Sequence, residues 1–132
     1  MKHDESLSMT VLRITLCIII ASHGLHRLYS GGSVPFGSWL SSQGIPFGLI
    51  VAWAITLFEL IGAFFLAFKK YVIYLSAVYF LIYLSGLLMV HLQHGWFVVG
   101  SGANGIEFSV LILASLFCIA YPYIPEVKAK RI

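Results

Sequence analysis

A cluster of titratable residues ends the first apolar run of the chain. His23, His26 and Arg27 lie within residues 22–33, just before a pair of glycines. An imidazole changes its charge near neutral pH, so a histidine at the edge of a membrane can relay protons. A polar group in this position is otherwise costly, and it therefore predicts a functional site at the mouth of a helix.

Three further titratable side chains, His91, His94 and Glu107, lie at the ends of two later apolar segments. The helical rise places them at the depth of His23 and Arg27, so these five residues form one candidate outward-facing site for ligand binding or proton relay. Solvated histidines without a function are the alternative. A metal site of His23, His91, His94 and Glu107 has only the His91–His94 spacing in its favour, and no metal is assigned.

Arg13 and Glu59 lie deeper in their segments. The rise per residue places them about 9 Å and about 14 Å above the inner boundary, well separated from the outer cluster. An unpaired charge at such a depth is expensive, so we expect Arg13 and Glu59 to form a buried ion pair. A structural role in helix packing is favoured over a proton relay.

The connection between the first two segments is rich in glycine and proline but also carries Phe36 and Trp39. A plain linker would be more polar. We expect an ordered, re-entrant-like outer loop with a short helical turn over residues 36–40 and with Trp39 at the depth of the lipid head groups. Phe36 and Trp39 are either a lid over the site or an interfacial anchor, and both remain open.

Composition identifies the environment of these residues. The chain has 132 residues, of which 60% are hydrophobic and 10% charged, and its mean hydropathy is +0.95. These values exclude an ordinary soluble domain. The net charge of +3 comes from short basic clusters at segment ends, which argues against nucleic-acid binding.

Hydropathy predicts an all-α integral membrane protein. Each apolar segment has close to the ~20 residues that cross ~30 Å of hydrocarbon, and none alternates with the period of a strand. We expect an antiparallel four-transmembrane-helix bundle that forms a single domain over residues 1–132. The predicted helices cover about residues 7–28, 47–68, 71–93 and 104–121.

The basic residues predict the topology. Lys69 and Lys70 separate the second and third segments, and Lys128, Lys130 and Arg131 lie in the tail. By the positive-inside rule, this loop and both termini are cytoplasmic.

Helical spacing predicts which faces turn inward. The first helix collects charged and small residues on one face, while His26 points away from that face towards the head groups. The second helix carries a small-residue stripe with a carboxylate in its middle, which suits close helix packing. The predicted stripes are Arg13, Cys17, Ile20, His23, Gly24 and Arg27 on the first helix, Ala52, Thr56, Glu59 and Ala63 on the second, and Ala103, Glu107, Leu111, Ala114 and Cys118 on the fourth.

The order and spacing of several motifs resemble the DoxX family over nearly the whole chain. Two departures are Arg27, where a lysine is usual, and Ile61-Gly62 after Glu59-Leu60, where two glycines are usual. The matching residues are Arg13, His23-Gly24, Gly44-Ile45-Pro46, Glu59, Gly62, His91, Gly95 and Gly105-Ile106-Glu107.

The resemblance implies a four-helix protein of the prokaryotic inner membrane. Family members are associated with redox systems, including the small membrane subunit of thiosulfate:quinone oxidoreductase and a complex linked to oxidative-stress and sulfur-transfer enzymes. A quinone or another small lipophilic molecule is therefore the candidate ligand. The chain has no flavin, haem or iron–sulfur signature, so any enzyme activity would be that of an oxidoreductase subunit that depends on a partner.

A different class of function also fits the sequence. The protein would then be a non-catalytic membrane scaffold or anchor for a partner enzyme, with its polar residues holding helices together. The bilayer is the expected environment in both cases, and association with a redox enzyme or with further copies of the chain stays open.

Overall fold

A computed structural model describes residues 5–100 and 104–129. Within these ranges the chain is helical and has no strand. Four of the described helices are long and apolar enough to cross a membrane, which confirms the predicted fold class at this level. The α-helices are α1 (Leu7–Ser30), α2 (Ser33–Ser42), α3 (Gly48–Ala67), α4 (Val72–Met89), α5 (Ile106–Ala120) and α6 (Pro125–Ala129), with 3₁₀ turns at His91–His94 and Tyr121–Tyr123.

A glycine-dependent cap ends α1. Gly31 adopts a left-handed conformation with φ of 70°, and the N–H of Gly32 donates to the carbonyl of Arg27 over 2.9 Å. This is the Schellman arrangement, in which a residue without a Cβ takes the left-handed position after the helix. Arg27 thus lies in the last turn of α1, shortly before α2 begins at Ser33.

One helix end differs from the prediction. The third spanning helix was expected to reach residue 93, but α4 ends at Met89, and His91–His94 form a separate 3₁₀ turn. Such tighter turns are common where an α-helix ends. The fourth predicted helix, over about residues 104–121, corresponds to α5, which ends at Ala120.

The described chain divides into two compact units. One unit is Ile14–Lys70, which contains most of α1 together with α2 and α3. Here α2 packs along α3, and Gly37 of α2 lies against the backbone of Gly48 and Leu49. The predicted helical turn over residues 36–40 is therefore part of a ten-residue helix. Its depth in the membrane stays a prediction.

The other unit joins the residues up to Arg13 to those from Tyr71 onward. Its main contact is the packing of α4 against α5. The inward face predicted for α5 is wrong, because Leu111 and Cys118 are exposed. The spacing does not select a face here, since apolar residues surround the whole helix in a lipid environment. The buried residues of α5 are Ser109, Ile112, Ser115, Leu116 and Ile119.

Sidedness and the single-domain assignment stay predictions. Lys69 and Lys70 occupy the turn between α3 and α4 as expected. Lys130 and Arg131, which also support cytoplasmic termini, lie outside the described residues.

Candidate functional site

An ion pair joins α1 to α3 within the unit formed by Ile14–Lys70. The guanidinium of Arg27 pairs with the carboxylate of Glu59, whose side chain is 3% exposed, whereas that of Arg27 is 20% exposed. The Nε–H of Arg27 also donates to the hydroxyl of Thr56 over 3.1 Å. Thr56 and Glu59 are three residues apart, so one face of α3 holds two sides of the same guanidinium.

The hydroxyl of Thr56 has all of its hydrogen-bonding capacity in use. It donates its proton to the carbonyl of Ala52 over 2.8 Å. Its two lone pairs can then accept from Arg27 and from the hydroxyl of Ser33, whose oxygen lies 3.4 Å away. Because a hydroxyl has one proton and two lone pairs, Ser33 is the donor in that contact. The start of α2 is thereby linked to the same network as Arg27.

Gly24 sets the register between α1 and α3. A Cβ at this position would lie 2.8 Å from the carbonyl oxygen of Thr56 and 3.1 Å from the Cβ of Glu59. Only glycine permits this approach, which brings α1 close enough to α3 for Arg27 to reach Glu59 one turn further along.

The predicted separation of Arg27 and Glu59 into two layers is wrong. Depths counted from segment ends ignore where the helices touch, and they ignore the length of the arginine side chain, which can extend along an apolar surface. The burial of the α3 stripe is confirmed, because Ala52, Thr56, Glu59 and Ala63 are all buried.

A recess of about 330 Å³ opens beside this ion pair. It is lined by Ser22, His23, His26 and Arg27. Residues 22 and 26 form one ridge of α1 and residues 23 and 27 form the next, so the recess follows the groove between two ridges. His26 was expected to point away from this face, but it shares the recess with His23 and Arg27.

Phe36 of α2 covers part of Arg27. The guanidinium carbon lies 5.0 Å from the centroid of the Phe36 ring, within the range of a cation–π contact. The rings of Phe36 and Trp39 stack at 6.2 Å. Both predicted lid residues therefore belong to one aromatic pair, and Phe36 contacts a predicted site residue directly. Opening and closing of this pair stays a prediction.

Arg13 has a carboxylate partner close to it in the sequence. Its guanidinium pairs with Glu5 over 2.8 Å, and the hydroxyl of Thr10 also donates to Glu5. Arg13 is buried, with 3% of its side chain exposed, as expected for a paired intramembrane charge. The prediction missed Glu5 because that residue precedes the apolar run. The predicted pairing of Arg13 with Glu59 stays a prediction.

The remaining predicted site residues bind backbone groups in the unit that contains α4 and α5. Nδ1 of His91 lies 2.6 Å from the carbonyl oxygen of Asn104, and Nδ1 of His94 lies 2.8 Å from that of Val90. The carboxylate of Glu107 accepts from the N–H of Val98 over 2.9 Å. These contacts hold the loop between α4 and α5, and a role in ligand binding stays a prediction for all three residues.

Metal-ligating side chains are dispersed in the part of the chain that the structure describes. No group of three or more His, Cys, Asp or Glu residues there could hold one ion. The chemistry of the recess is instead that of hydrogen-bond donors and titratable imidazoles beside a paired guanidinium.

Comparison with known proteins identifies a family. The family model DoxX matches residues 8–92. Neither the curated proteins nor the solved structures contain a match to this chain. Because the family match covers more than half of the sequence and includes both partners of the Arg27–Glu59 pair, the chain belongs to the DoxX family.

Proposed function

We propose that this multi-pass membrane protein is a subunit of a redox-linked system and that it binds a quinone or another small lipophilic molecule at the recess on α1. Membership of the DoxX family supports the redox setting. The four apolar helices support uptake of the ligand from the bilayer. A partner enzyme would supply electrons, because the sequence contains no flavin, haem or iron–sulfur motif.

The observation that carries this proposal is the placement of Arg27. Its guanidinium is fixed by Glu59, Thr56 and Phe36, and it also lines the recess with His23 and His26. A quinone carbonyl accepts hydrogen bonds, and reduction of the ring consumes protons that imidazoles can deliver. A guanidinium that is already held in place loses little conformational freedom when it binds such a head group.

The other predicted residues have different roles in this proposal. Phe36 and Trp39 would cover the bound ring, which aromatic side chains can do by stacking. His91, His94 and Glu107 would shape the loop before α5, and direct contact with the ligand by these residues is a separate hypothesis.

The proposed location is the inner membrane of a prokaryote, with both termini in the cytoplasm. The two lysines between α3 and α4 support this orientation through the positive-inside rule.

A binding measurement tests the proposal. Purified protein in lipid nanodiscs is titrated with decylubiquinone, and uptake by empty nanodiscs is subtracted. Replacing both His23 and His26 with alanine should weaken binding by about tenfold, a loss of about 1.4 kcal/mol. His94→Ala is the matched control. It removes an exposed imidazole whose Nδ1 contacts the carbonyl oxygen of Val90, at the end of α4. Absence of saturable binding to the unmodified protein would overturn the proposal.

A membrane scaffold is the second candidate, and the pairing of Arg13 and of Arg27 with carboxylates favours it. Paired charges of this kind can serve packing alone. The scaffold predicts a co-purifying enzyme and no saturable quinone binding. If the two histidines take no part in the contact with that enzyme, the double variant His23→Ala and His26→Ala should still co-purify with it.

A further inference from the structure

The recess carries a positive charge that is already balanced. Arg27 lines it, and the carboxylate of Glu59 pairs with Arg27 from the side of α3. The positive charge that Arg27 brings to the lining is therefore paired with a carboxylate on α3.

Because Glu59 is buried, its charge affects which type of ligand the recess can bind. Glu59 is 3% exposed, so water screens its charge very little. A ligand with a negative head group would bring a second anion close to Glu59 and would have to compete with it for Arg27. A neutral head group with carbonyl oxygens can instead accept hydrogen bonds from the recess while the ion pair stays intact.

The other contacts of Arg27 limit its ability to change partner. Its Nε–H is bound to Thr56, and the ring of Phe36 lies against the guanidinium. Thr56 is in turn held by its bond to the carbonyl of Ala52. Turning Arg27 towards an anionic ligand would break these contacts and would take the Arg27 guanidinium away from the buried carboxylate of Glu59.

We propose that Glu59 determines the specificity of the recess for uncharged lipophiles with carbonyl head groups and excludes anionic ones. This inference rests on the proposed function and adds to it a ligand class and a positioning residue. Glu59 acts through Arg27, which it orients and neutralises.

Two probes that differ in charge test the inference in the unmodified protein. One is a long-chain alkyl naphthoquinone, and the other is its ring-hydroxylated analogue, which is an anion at about pH 8, where an ordinary imidazole is neutral. Affinity for both is measured in nanodiscs of zwitterionic lipid, with empty nanodiscs as the blank. We expect the neutral probe to bind at least about tenfold more tightly. Equal or tighter binding of the anion would overturn the inference.

The Glu59→Gln variant then tests the residue. Glutamine has nearly the same shape but no charge, so the negative charge that Glu59 places beside Arg27 is lost. The anionic probe should gain about tenfold in affinity relative to the neutral probe, and the preference should shrink or reverse. Glu59→Asp keeps the charge and should keep the preference for the neutral probe. A merely structural role for Glu59 would weaken both probes in parallel and would leave their ratio unchanged.

Failure of this inference is distinguishable from failure of the proposed function. If neither probe binds the unmodified protein in a saturable way, the proposed function is wrong, and specificity by Glu59 falls with it. If the neutral probe binds and Arg27→Gln weakens it, but the ratio is the same in the Glu59→Gln variant, only the role of Glu59 is wrong. If Glu59→Gln does not fold, the ratio in the unmodified protein and in Glu59→Asp still decides the inference.

Discussion

Arg27 in the last turn of α1 forms an ion pair with Glu59 in the middle of α3. The pair joins a buried carboxylate to a guanidinium that also lines a recess, so Arg27 takes part both in the contact between α1 and α3 and in the recess.

Removal of one partner should cost more stability than removal of both. Arg27→Gln deprives the buried Glu59 carboxylate of its guanidinium, which costs about 3 kcal/mol when one member of a buried pair is lost. Adding Glu59→Gln removes the remaining charge and should restore most of this loss. The free energy of unfolding, from SDS titrations in mixed micelles, gives the coupling between the two changes. Additive losses in the double variant would show that the side chains are not coupled.

A methyl group at Gly24 should separate α1 from α3. The added Cβ of Gly24→Ala would lie 2.8 Å from the carbonyl oxygen of Thr56. Such overpacking costs about 1–3 kcal/mol, and the displacement should also weaken quinone binding. The stability is measured by the same SDS titrations.

Gly86→Ala is the matched control for this change. Gly86 also lies within a spanning helix, but a Cβ there would meet no atom within 4 Å. Alanine in an open helical position is better than glycine by about 0.5–1 kcal/mol. Equal effects at the two positions would contradict the close contact at Gly24.

Glu107 should act on the loop before α5. Its carboxylate accepts from the N–H of Val98, so Glu107→Ala should speed hydrogen exchange at the amide of Val98. Glu107→Gln retains an amide oxygen that can accept the same bond, and it should leave exchange nearly unchanged. We expect decylubiquinone binding to persist in the glutamine variant. Its loss with an intact loop would extend the ligand site to Glu107.

The sequence was sufficient to predict the spanning helices and the buried stripe of α3. Long apolar runs have a length fixed by the bilayer, and the Thr56–Glu59 spacing places polar groups on one small-residue face. The pairing of Arg27 with Glu59 could not be predicted in this way. It depends on the register of α1 against α3, which the packing of Gly24 decides, and on the reach of the Arg27 side chain.

Two other features of the structure also could not be predicted from sequence patterns. The only polar residues on the buried face of α5 are Ser109 and Ser115, and its hydrophobic residues resemble those that face lipid. The contacts of His91 depend on the turn that follows α4, and its partner Asn104 is thirteen residues away along the chain. The residue types alone therefore did not reveal these loop contacts.

Photolabelling of the quinone site tests the central claim most directly. Purified protein in nanodiscs is irradiated with an azido-quinone, and the labelled residues are mapped by mass spectrometry, with decylubiquinone as competitor. Our account predicts that the competed label lies on residues 22–27 of α1 or on Phe36, and that Arg27→Gln lowers it by about tenfold. A competed label confined to residues outside this recess, or no competed label at all, would contradict the account.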